Sequence, residues 1–583
     1  MNLGNNFVLL ETHRKDKDNK QNILFTDPVD IIIAYQKDDL SKSFKIIDKY
    51  TRRGFYVAGY ISYEAGYFFE NVLRPYLSLT GEPLLWFGAY KNPRISATPF
   101  ITESYDDFYS TSPEASISYN DYKNKIRTIK NLISIGQVYQ INYTFKNYFT
   151  LYGDVVSFYK TLKDNQQVSY SALIGCRDKY IVSLSPELFF RISNNKIKVK
   201  PMKGTAPIIY PSRRLLHDGK DLSENVMIVD LLRNDLGRIC APVTVKVDKL
   251  YNVERYDTLS QMTSTISGEL RPELNTFDII RNIFPSGSVT GAPKVQSMKI
   301  ISAMEKIPRG VYTGAIGYFA PKEKSVFNVA IRTIELRPAG EGKYQGQMGV
   351  GGGIVHESRA SKEYDECRLK AEFLKRSIPD LALIETMLCE NGKIRYLRMH
   401  LQRLRKSAKY FLVPCDISRI KNALIKYANT LSGKVRVRLT LKACGRFKIA
   451  NKVLPAASGG TRYLAISKYK TKSDNPFLYH KTTFRSLYDR EHARYAARGY
   501  DDVIFCNENN QITEGAISNI FVQVKNRYYT PPVSCGLLNG IYRQIFMKKV
   551  RAKEKIIYCD DLKKADKIIL TNSIRGAREA FLR

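Results

Sequence analysis

At 583 residues, the chain is longer than one hydrophobic core supports, because single cores stop growing near about 250–300 residues, so two substantial domains are expected. Its composition, with 44% hydrophobic and 25% charged residues, excludes the disordered, collagen-like and disulfide-dense classes of protein. Of the net charge of +36, residues 381–583 carry +25, and no nucleic-acid-binding motif accompanies it. We interpret the excess as a solvated lysine-rich surface, with a nucleic-acid-binding protein as the alternative from another class.

The cysteines and the apolar runs bear on the compartment. Nine cysteines are scattered without a C-x-x-C pair, which argues against a disulfide framework and a cysteine zinc site. No apolar run approaches the roughly 18–20 residues that cross a bilayer, and the first twenty residues lack the pattern of a secretory signal. We therefore expect a cytoplasmic protein that binds neither membrane nor nucleic acid.

Signals for strands and helices alternate in the first part of the chain. The stretches 56–65 and 179–192 are typical of strands. Apolar residues recur at helical spacing in 119–136, 223–239 and 363–377, which predicts helices there. This alternation indicates a domain of mixed α and β structure.

A domain boundary is expected at about residues 376–381. Pro379 ends the last of these helices, and the strand-like run LALIETML follows at once. KVRVRLTLK and ISNIFVQV then predict strands, and HLQRLRKSAKYF predicts a helix. We therefore expect two mixed α/β (α+β) domains, over residues 1–376 and 380–583, each folding around a core of its own.

Four glutamates are the most informative acidic residues: Glu187 in SPELF, Glu224 in SENVMIVDLLRNDLGR, and Glu363 with Glu366 in EYDECRLK. The last two are three residues apart on a predicted helix, so they share one face and could hold a hard divalent cation, which prefers oxygen ligands. For any one of them alone, a solvated helix face is the alternative.

Glycine-dense segments lie between and beside these glutamates: KPMKGTAP, FPSGSVTGAPK, VYTGAIGYF and GVGGGIVHES. The consecutive glycines Gly351, Gly352 and Gly353 precede a polar turn and offer unobstructed backbone N–H groups. Such groups suit carboxylate binding as they suit phosphate.

In this order, the segments resemble the chorismate-utilising family, which includes anthranilate synthase, isochorismate synthase and aminodeoxychorismate synthase component I. The resemblance spans residues 1–375, from GYISYEAGYFFE through SPELFFRI, PMKGTAP, SGSVTGAPK, YTGAIGYF, FNVAIRTIE and GGGIVHES to EYDECRLKAE. It implies a chorismate-binding two-sheet α/β sandwich. It also implies Mg²⁺ held by Glu224, Glu363 and Glu366. For the substrate it implies Tyr312, Arg332, Thr290 and the backbone of Gly351–Gly353.

Within that family, the residue inside the P-x-x-G-T segment distinguishes the branches. The anthranilate branch has a small alanine there, whereas the aminodeoxychorismate branch has a lysine, which is Lys203 in this chain. The resemblance implies that Lys203 attacks C2 of chorismate while Glu187, as general acid, protonates the departing C4 hydroxyl; ammonia then enters at C4 and expels the lysine. A carboxylate- or phosphate-binding Lys203 and an anthranilate synthase-type enzyme are the alternatives. Ser260 stands where the family often has a histidine, and its role stays open.

The ammonia needs a source, and no glutaminase signature of the G-x-C-x-G type occurs in the sequence. The resemblance therefore implies a separate glutamine amidotransferase subunit, or the use of free ammonium.

Residues 381–583 combine three features that suit pyridoxal phosphate. Lys481 lies between polar residues, Glu514 has a strand-turn setting, and the turns GLLNGIYR and TNSIRG could bind phosphate at a helix N-terminus. The cofactor needs an amine for its Schiff base, a carboxylate for its ring nitrogen and a phosphate cup.

This part resembles the class IV pyridoxal-phosphate enzymes, which include branched-chain aminotransferase, D-amino-acid aminotransferase and 4-amino-4-deoxychorismate lyase. The resemblance implies a D-amino-acid aminotransferase-like domain with Lys481 as the Schiff-base lysine, Glu514 as the pyridinium partner and Arg403 as a phosphate ligand. The backbones of Ile541–Tyr542 and Asn572–Ser573 should complete the phosphate cup. The likeness begins abruptly at LIETM, without the longer N-terminal lead of stand-alone members. Because class IV enzymes often pair, it also suggests a homodimer through this domain.

The two resemblances explain each other. A lyase fused behind an aminodeoxychorismate synthase would eliminate pyruvate from the intermediate and release 4-aminobenzoate, the folate precursor, with Lys481 as base and acid. An amino-acid aminotransferase in the second part is the alternative, and it lacks such a link.

Overall fold

The computed structural model of the chain describes the following residues: 3–13, 21–76, 81–102, 108–166, 168–176, 178–207, 219–255, 259–322, 324–376, 381–454 and 461–583. Within these ranges, no helix is long and apolar enough to cross a membrane.

The first part of the chain, up to residue 376, contains the strands β1 (Phe7–Glu11), β2 (Asn22–Thr26), β3 (Asp30–Ala34), β4 (Tyr56–Ile61), β5 (Leu85–Tyr90), β6 (Arg94–Ser96), β7 (Phe108–Ser110), β8 (Glu114–Ala115), β9 (Gln140–Gly153), β10 (Tyr170–Cys176), β11 (Lys179–Ser185), β12 (Leu188–Ser193), β13 (Lys196–Lys200), β14 (Met202–Pro207), β15 (Lys246–Arg255), β16 (Leu259–Glu269), β17 (Gly291–Ala292), β18 (Ala315–Ala320), β19 (Lys324–Val329), β20 (Thr333–Pro338) and β21 (Lys343–Ile354). Its helices are α1 (Lys37–Arg52), α2 (Gly66–Phe69), α3 (Tyr119–Ser134), α4 (Val155–Gln166), α5 (Gly219–Gly237), α6 (Thr276–Ile283), α7 (Lys294–Met304) and α8 (Ala360–Arg376). The three helices predicted from apolar spacing are confirmed as α3, α5 and α8.

These strands form two sheets that pack face to face. One sheet has the order β17-β9-β21-β20-β11-β10-β1-β2-β6, with β7 and β8 also on β9, and the other has the order β14-β16-β13-β12-β19-β18-β4-β5-β3, with β15 on β16. Between them, Val8 and Phe25 of the first sheet share a buried cluster with Tyr60 and Trp86 of the second. Helices α3, α4, α7 and α8 cover the outer face of the first sheet, and α1, α5 and α6 cover that of the second. The expected two-sheet α/β sandwich is confirmed.

The strand predicted over 179–192 is two strands in different sheets. β11 belongs to the first sheet and β12 to the second, and Pro186 and Glu187 lie between them. Pro186 has no N–H with which to continue a ladder, so the chain leaves one sheet there and enters the other. Glu187 is thereby fixed at the crossing between the two layers.

The second part of the chain contains the strands β22 (Ala382–Glu390), β23 (Lys393–Ile394), β24 (Lys434–Lys442), β25 (Phe447–Val453), β26 (Tyr463–Thr471), β27 (Asp502–Asn507), β28 (Ile512–Gly515), β29 (Asn519–Val524), β30 (Arg527–Thr530), β31 (Lys553–Glu554), β32 (Lys567–Asn572) and β33 (Gly576–Leu582). Its helices are α9 (Leu397–Tyr410), α10 (Ile417–Ala428), α11 (Ser486–Ala496), α12 (Ile541–Val550) and α13 (Cys559–Lys563). A small sheet of order β23-β22-β24-β25 packs against α9 and α10, and a larger sheet has the order β28-β27-β26-β33-β32-β29-β30-β31. The strands predicted from LALIETML, KVRVRLTLK and ISNIFVQV are confirmed as β22, β24 and β29. Pro379, which predicts the domain boundary, lies outside the described residues.

The two parts meet in one buried aromatic cluster, so the expectation of two separate cores is wrong at this place. Tyr109 of β7 and Tyr152 of β9 belong to the same core cluster as Phe411 and Phe477 of the second part. The Tyr152 ring lies 5.1 Å from that of Phe411 and 5.3 Å from that of Tyr410, between centroids. We call these five residues the aromatic seam.

Candidate functional sites

The consecutive glycines lie inside strand β21, ahead of the polar turn at 356–357. β21 runs antiparallel to β9 as far as the pair Ile354–Ile141, whereas its ladder with β20 ends at the pair Met348–Ile334. Backbone groups beyond Met348 on that second edge are therefore not used by β20, and a bound molecule could take them.

Neighbouring atoms lie close to two of these glycines, a backbone oxygen at Gly351 and a side-chain nitrogen at Gly353. A Cβ on Gly351 would lie 2.3 Å from the carbonyl oxygen of Tyr143, and one on Gly353 would lie 2.0 Å from the side-chain nitrogen of Gln140. At Gly352 the nearest atom, the Oε2 of Glu363, would be 3.6 Å away. The glycines thus let β9 approach closely on one side and face the carboxylate of Glu363 on the other.

Lys203 lies where β14, α5 and β21 meet. Its Nζ is 3.4 Å from Oε2 of Glu224 and 3.4 Å from the point that a Cβ on Gly353 would occupy. The structure therefore brings together three residues from separate segments: Lys203, predicted as the nucleophile, Glu224, predicted as a metal ligand, and Gly353, predicted to bind the substrate.

Glu187 is a buried acid whose properties suit proton donation. Burial raises the pKa of its carboxyl to about 7, although the Ser288 hydroxyl and the charge of Lys203 act in the opposite direction. The Oγ of Ser288 donates a hydrogen bond of 2.6 Å to Oε1 of Glu187. A carboxyl with a pKa near the working pH holds a proton that it can give to a leaving group. Sequence reasoning missed Ser288, although it lies in the quoted segment SGSVTGAPK.

The Glu363 and Glu366 carboxylates on α8 lie beside the glycine strand. Glu363 accepts a hydrogen bond of 2.8 Å from the Ser358 hydroxyl. Glu366 pairs at 2.8 Å with Lys370, whose Nζ also donates to the carbonyl oxygen of Gly351 at 2.8 Å.

The three glutamates suit Mg²⁺ in kind, because a hard cation prefers carboxylate oxygens. In the described ranges, no three His, Cys, Asp or Glu side chains are close enough to hold a metal ion together. Two of the glutamates form ion pairs with lysines instead: Glu224 with Lys203, and Glu366 with Lys370.

The remaining substrate-binding candidates surround the same strand or its neighbours. Tyr312 packs so closely on Gly349 of β21 that a Cβ there would lie 2.0 Å from its ring. The Thr290 hydroxyl donates to the carbonyl oxygen of Ser286 at 2.8 Å, and its own carbonyl accepts from Asn142 of β9 at 2.9 Å. The structure thus gives Thr290 a role in holding β9.

Arg332 lies just before β20 and has a left-handed backbone, with φ of 50°. Its Nη1 donates to the side-chain oxygen of Gln166 at 2.8 Å. The backbone of Ser260 lies in β16 opposite Ala206 of β14, and its side chain is outside the described atoms.

In the second part, Lys481 follows a short 3-10 helix over Pro476–Tyr479. Its carbonyl oxygen accepts from the backbone N–H of Ile384 at 2.8 Å, which ties the lysine segment to β22. Burial, together with the charges of Arg485 and Arg403, lowers the pKa of the Lys481 amine to about 7. A large share of the amine is therefore unprotonated near neutral pH, as Schiff-base formation requires.

Glu514 lies on β28 and is held by Asn519. The Asn519 side-chain nitrogen donates to Oε2 of Glu514 at 3.0 Å and to the carbonyl oxygen of Leu538 at 2.8 Å. Burial raises the pKa of the Glu514 carboxyl to about 8. A pyridinium placed against it would favour the ionised form, as the role of ring-nitrogen partner requires. Sequence reasoning missed Asn519, which stands in the predicted strand ISNIFVQV.

The two predicted phosphate turns lie next to each other, but only one is at a helix N-terminus. GLLNG leads into α12, which begins at Ile541. TNSIRG is instead the turn between β32 and β33, so that part of the prediction is wrong. The Asn572 side-chain oxygen accepts from the N–H groups of Ile574 and Arg575 within this turn. The Tyr542 hydroxyl would lie 3.4 Å from a Cβ on Gly576, which places the turn beside the start of α12.

Arg403 is engaged by a carboxylate that sequence reasoning missed. Its Nε and Nη2 donate to the two oxygens of Glu385 at 2.9 and 2.7 Å, and His400 Nδ1 lies 2.6 Å from Oε2. Burial alone would raise the pKa of the Glu385 carboxyl, but Arg403 and His400 lower this pKa to about 2. The Nε2 of buried His400 has no hydrogen-bond partner in the described part of the chain. The signal was available, since Glu385 lies in LIETM and His400 in HLQRL.

These residues fit pyridoxal phosphate. An amine with a lowered pKa, a buried carboxyl and a helix N-terminus beside a turn are the parts that the cofactor needs. The unpartnered His400 Nε2, next to the candidate phosphate ligand Arg403, is the kind of buried polar atom that a ligand satisfies.

Comparisons with known proteins identify a family for each part of the chain. The sequence pattern of the chorismate binding enzyme family matches residues 101–376, and that of the class IV amino-transferases matches residues 382–580. Aminodeoxychorismate synthase component 1 of Salmonella typhimurium is 35% identical over 291 residues, which cover 48% of this chain and 60% of that protein.

Anthranilate synthase component 1 of Saccharolobus solfataricus is 30% identical over 377 residues, which cover 60% of this chain and 86% of that protein. The crystal structure of anthranilate synthase component I from Streptococcus pneumoniae shares the fold, with a TM-score of 0.52 at 24% identity over 62% of this chain and 94% of that one. The chain therefore belongs to the chorismate-binding enzyme family and carries a class IV aminotransferase domain behind its chorismate-binding domain.

Proposed function

We propose that the chain converts chorismate and ammonia into 4-amino-4-deoxychorismate at the first site, and this intermediate into 4-aminobenzoate and pyruvate at the second, in folate synthesis. The observation that carries the proposal is the position of Lys203, between Glu224 and Gly353. The matched aminodeoxychorismate synthases are longer than the matched region, which spans about 60% of the Salmonella protein.

At the first site, Lys203 Nζ forms a bond to C2 of chorismate while Glu187 gives its proton to the C4 hydroxyl, which leaves as water. Ammonia then forms a bond at C4, and the bond from C2 to the lysine breaks. Overall, one ammonia enters and one water leaves. Tyr312, Arg332, Thr290 and the Gly351–Gly353 backbone hold the substrate in this proposal. Glu224, Glu363 and Glu366 would hold Mg²⁺, which supplies positive charge for the ring carboxylate.

At the second site, bound pyridoxal phosphate supplies an electron sink. Lys481 would hold the cofactor through its amine and would take and return a proton at its Nζ. Glu514 would keep the pyridine nitrogen protonated. Arg403 would bind the phosphate together with the backbones of Ile541–Tyr542 and Asn572–Ser573. Elimination of pyruvate leaves an aromatic ring, which supplies much of the driving force.

The proposal also includes the source of the ammonia, the oligomeric state and the cellular compartment. A separate glutamine amidotransferase subunit supplies the ammonia, free ammonium replaces it in vitro, the class IV domain forms a homodimer, and the reaction takes place in the cytoplasm. Lys203 opposes an anthranilate synthase-type first site, because that branch has a small alanine at this position.

The test is a reaction of the purified chain with chorismate, ammonium, Mg²⁺ and pyridoxal phosphate, followed by liquid chromatography. We expect 4-aminobenzoate and pyruvate in equal amounts without any added lyase. Anthranilate as the product would overturn the assignment of the first site. Accumulated aminodeoxychorismate, or transamination of common amino acids, would overturn that of the second.

A further inference from the structure

The aromatic seam connects the first domain to the residue before the catalytic lysine of the second. The Tyr152 hydroxyl, at the end of β9, donates a hydrogen bond of 2.6 Å to the carbonyl oxygen of Tyr410. The Tyr410 ring stacks on that of His480, with centroids 4.5 Å apart and an interplanar angle of 29°. His480 directly precedes Lys481. Burial and the charge of Lys406 lower the pKa of His480 to about 4, so the ring is neutral in this stack near neutral pH.

Helix α9 joins the aromatic seam to Arg403, the candidate phosphate ligand of the second site. Its side chains at His400, Arg403, Ser407 and Tyr410 are three or four residues apart and therefore share one face. The first two engage Glu385, and the Ser407 Oγ is 2.9 Å from Nδ1 of His480. Helix α9 thus carries the candidate phosphate ligand Arg403 and also contacts His480 in the lysine segment. Its last residue, Tyr410, is held by Tyr152.

A second contact holds the loop that leads to Lys481. Gly342, just before β21, has a left-handed backbone with φ of 58°. A Cβ there would lie 2.6 Å from the carbonyl oxygen of Asp474 and 2.4 Å from Cδ of Pro476. Lys472 pairs with Asp154, one residue after β9, at 3.7 Å. The ends of β9 and β21 therefore form the surface on which residues 472–480 rest.

We infer that the first domain is a structural part of the second site, in which Tyr152 is a positioning residue that fixes α9 and Lys481 for cofactor binding. The inference rests on the proposed function for the identity of the cofactor. It goes beyond that function because it makes the synthase domain necessary for a preorganised lyase site. Tyr152 lies in the aromatic seam, and its contacts reach the lysine segment through Tyr410 and His480.

The experiment compares Tyr152→Phe and Tyr152→Ala in the full chain with wild type. The matched control is Tyr148→Phe, because Tyr148 lies on the same side of β9, four residues earlier and outside the seam. Cofactor affinity is measured by titration with pyridoxal phosphate, followed by visible absorption. In cofactor-free protein, labelling of the Lys481 amine by an amine reagent is measured over a pH series by mass spectrometry. Chorismate consumption reports whether the first domain is intact.

We expect Tyr152→Phe to weaken cofactor binding by about threefold to tenfold, the equivalent of one lost hydrogen bond, and Tyr152→Ala to weaken it more. The labelling midpoint of Lys481 should move to higher pH, because a loosened segment loses the burial that is the main cause of its lowered pKa. Chorismate consumption and the Tyr148→Phe control should match wild type.

Wild-type cofactor affinity and an unchanged labelling midpoint in both Tyr152 variants would overturn the inference. Failure of the proposed function is separate, because it would show in wild type as no cofactor binding or no 4-aminobenzoate. The labelling measurement needs no cofactor, so it tests the positioning role in either case. Tyr152→Phe keeps the ring in the seam and serves if Tyr152→Ala does not fold.

Discussion

The two candidate lysines are placed in opposite electrostatic surroundings. Lys203 lies 3.4 Å from the carboxylate of Glu224, an arrangement that suits an ammonium ion. Lys481 is buried near Arg485 and Arg403, and its pKa is lowered to about 7. The same side chain is therefore held as an ion-pair partner at one site and as an amine ready for attack at the other.

This difference indicates which bound group each site requires before its lysine can react. Lys481 needs only its cofactor, because burial and the arginines already favour the neutral amine. At the first site, Lys203 pairs with Glu224, which is also a proposed metal ligand. Glu224 cannot pair with an ammonium group and bind a divalent cation equally well. We therefore expect the activity of the first site to depend strongly on bound Mg²⁺.

The largest effect should come from Lys481→Ala. We expect loss of the visible absorption of lysine-bound cofactor and a fall in 4-aminobenzoate formation of more than about a thousandfold, because a methyl group can neither attach the cofactor nor carry a proton. Liquid chromatography should show aminodeoxychorismate in its place. Exposed Lys468 provides the control variant, Lys468→Ala. Formation of 4-aminobenzoate at the wild-type rate would remove Lys481 from its role.

Lys203→Ala should abolish or redirect the first reaction. Aminodeoxychorismate synthesis should fall by more than about a hundredfold, because a methyl group cannot act as the nucleophile. The lyase activity on added aminodeoxychorismate should persist, which separates the two lysines. Lys196→Ala is the control, because that lysine is exposed and pairs only loosely with Glu269, at 3.5 Å. Normal chorismate turnover in Lys203→Ala would refute the covalent role.

A smaller effect is expected from Glu366→Gln. Removal of one carboxylate charge should weaken Mg²⁺-dependent chorismate binding by about tenfold to a hundredfold, measured as the Mg²⁺ concentration for half-maximal activity. Glu357→Gln, a change of an exposed glutamate in the preceding turn, is the control. Chelation should stop the first reaction and leave the second intact. Full activity of the first site after exhaustive chelation would contradict the metal assignment.

The smallest effect concerns the acid at the first site. The Ser288 hydroxyl stabilises the ionised form of Glu187, so Ser288→Ala should raise the pKa of that carboxyl. Because a general acid works while protonated, the alkaline fall of kcat/KM for chorismate should move up by roughly one pH unit. Ser286→Ala is the comparison, since that hydroxyl contacts Ser288 and not Glu187. An unmoved alkaline limb would show that Glu187 does not set it.

Local patterns in the sequence predicted what local interactions determine. Helices α3, α5 and α8 follow from apolar spacing, and for α3 a Ser118 N-cap whose side chain accepts from the N–H of Asp121 supports it. The apolar run over 179–192 is continuous and therefore predicts one strand instead of two. Pro186 is the only local sign that the chain changes sheets there.

Contacts between distant residues could not be predicted in this way. The bond from Tyr152 to Tyr410 joins residues 258 positions apart, and a tyrosine at the end of a strand carries no periodic signal of its partner. Glu385, Arg403 and His400 were all in quoted segments, yet their meeting depends on how α9 packs on β22. The site residues that a resemblance supplied were found, whereas their supporting partners Ser288, Asn519 and Glu385 needed the fold.

The length of strand β9 sets the distance between the glycine strand of the first site and the aromatic seam. It runs for 14 residues, from Gln140 at the glycine strand to Gly153 at the seam, which corresponds to roughly 45 Å. Because side chains alternate between the two faces, an insertion of one residue between Asn142 and Tyr152 would turn the tyrosine to the opposite face. An insertion of two residues would return the tyrosine to its face but should still move it by about 7 Å along the strand, away from Tyr410.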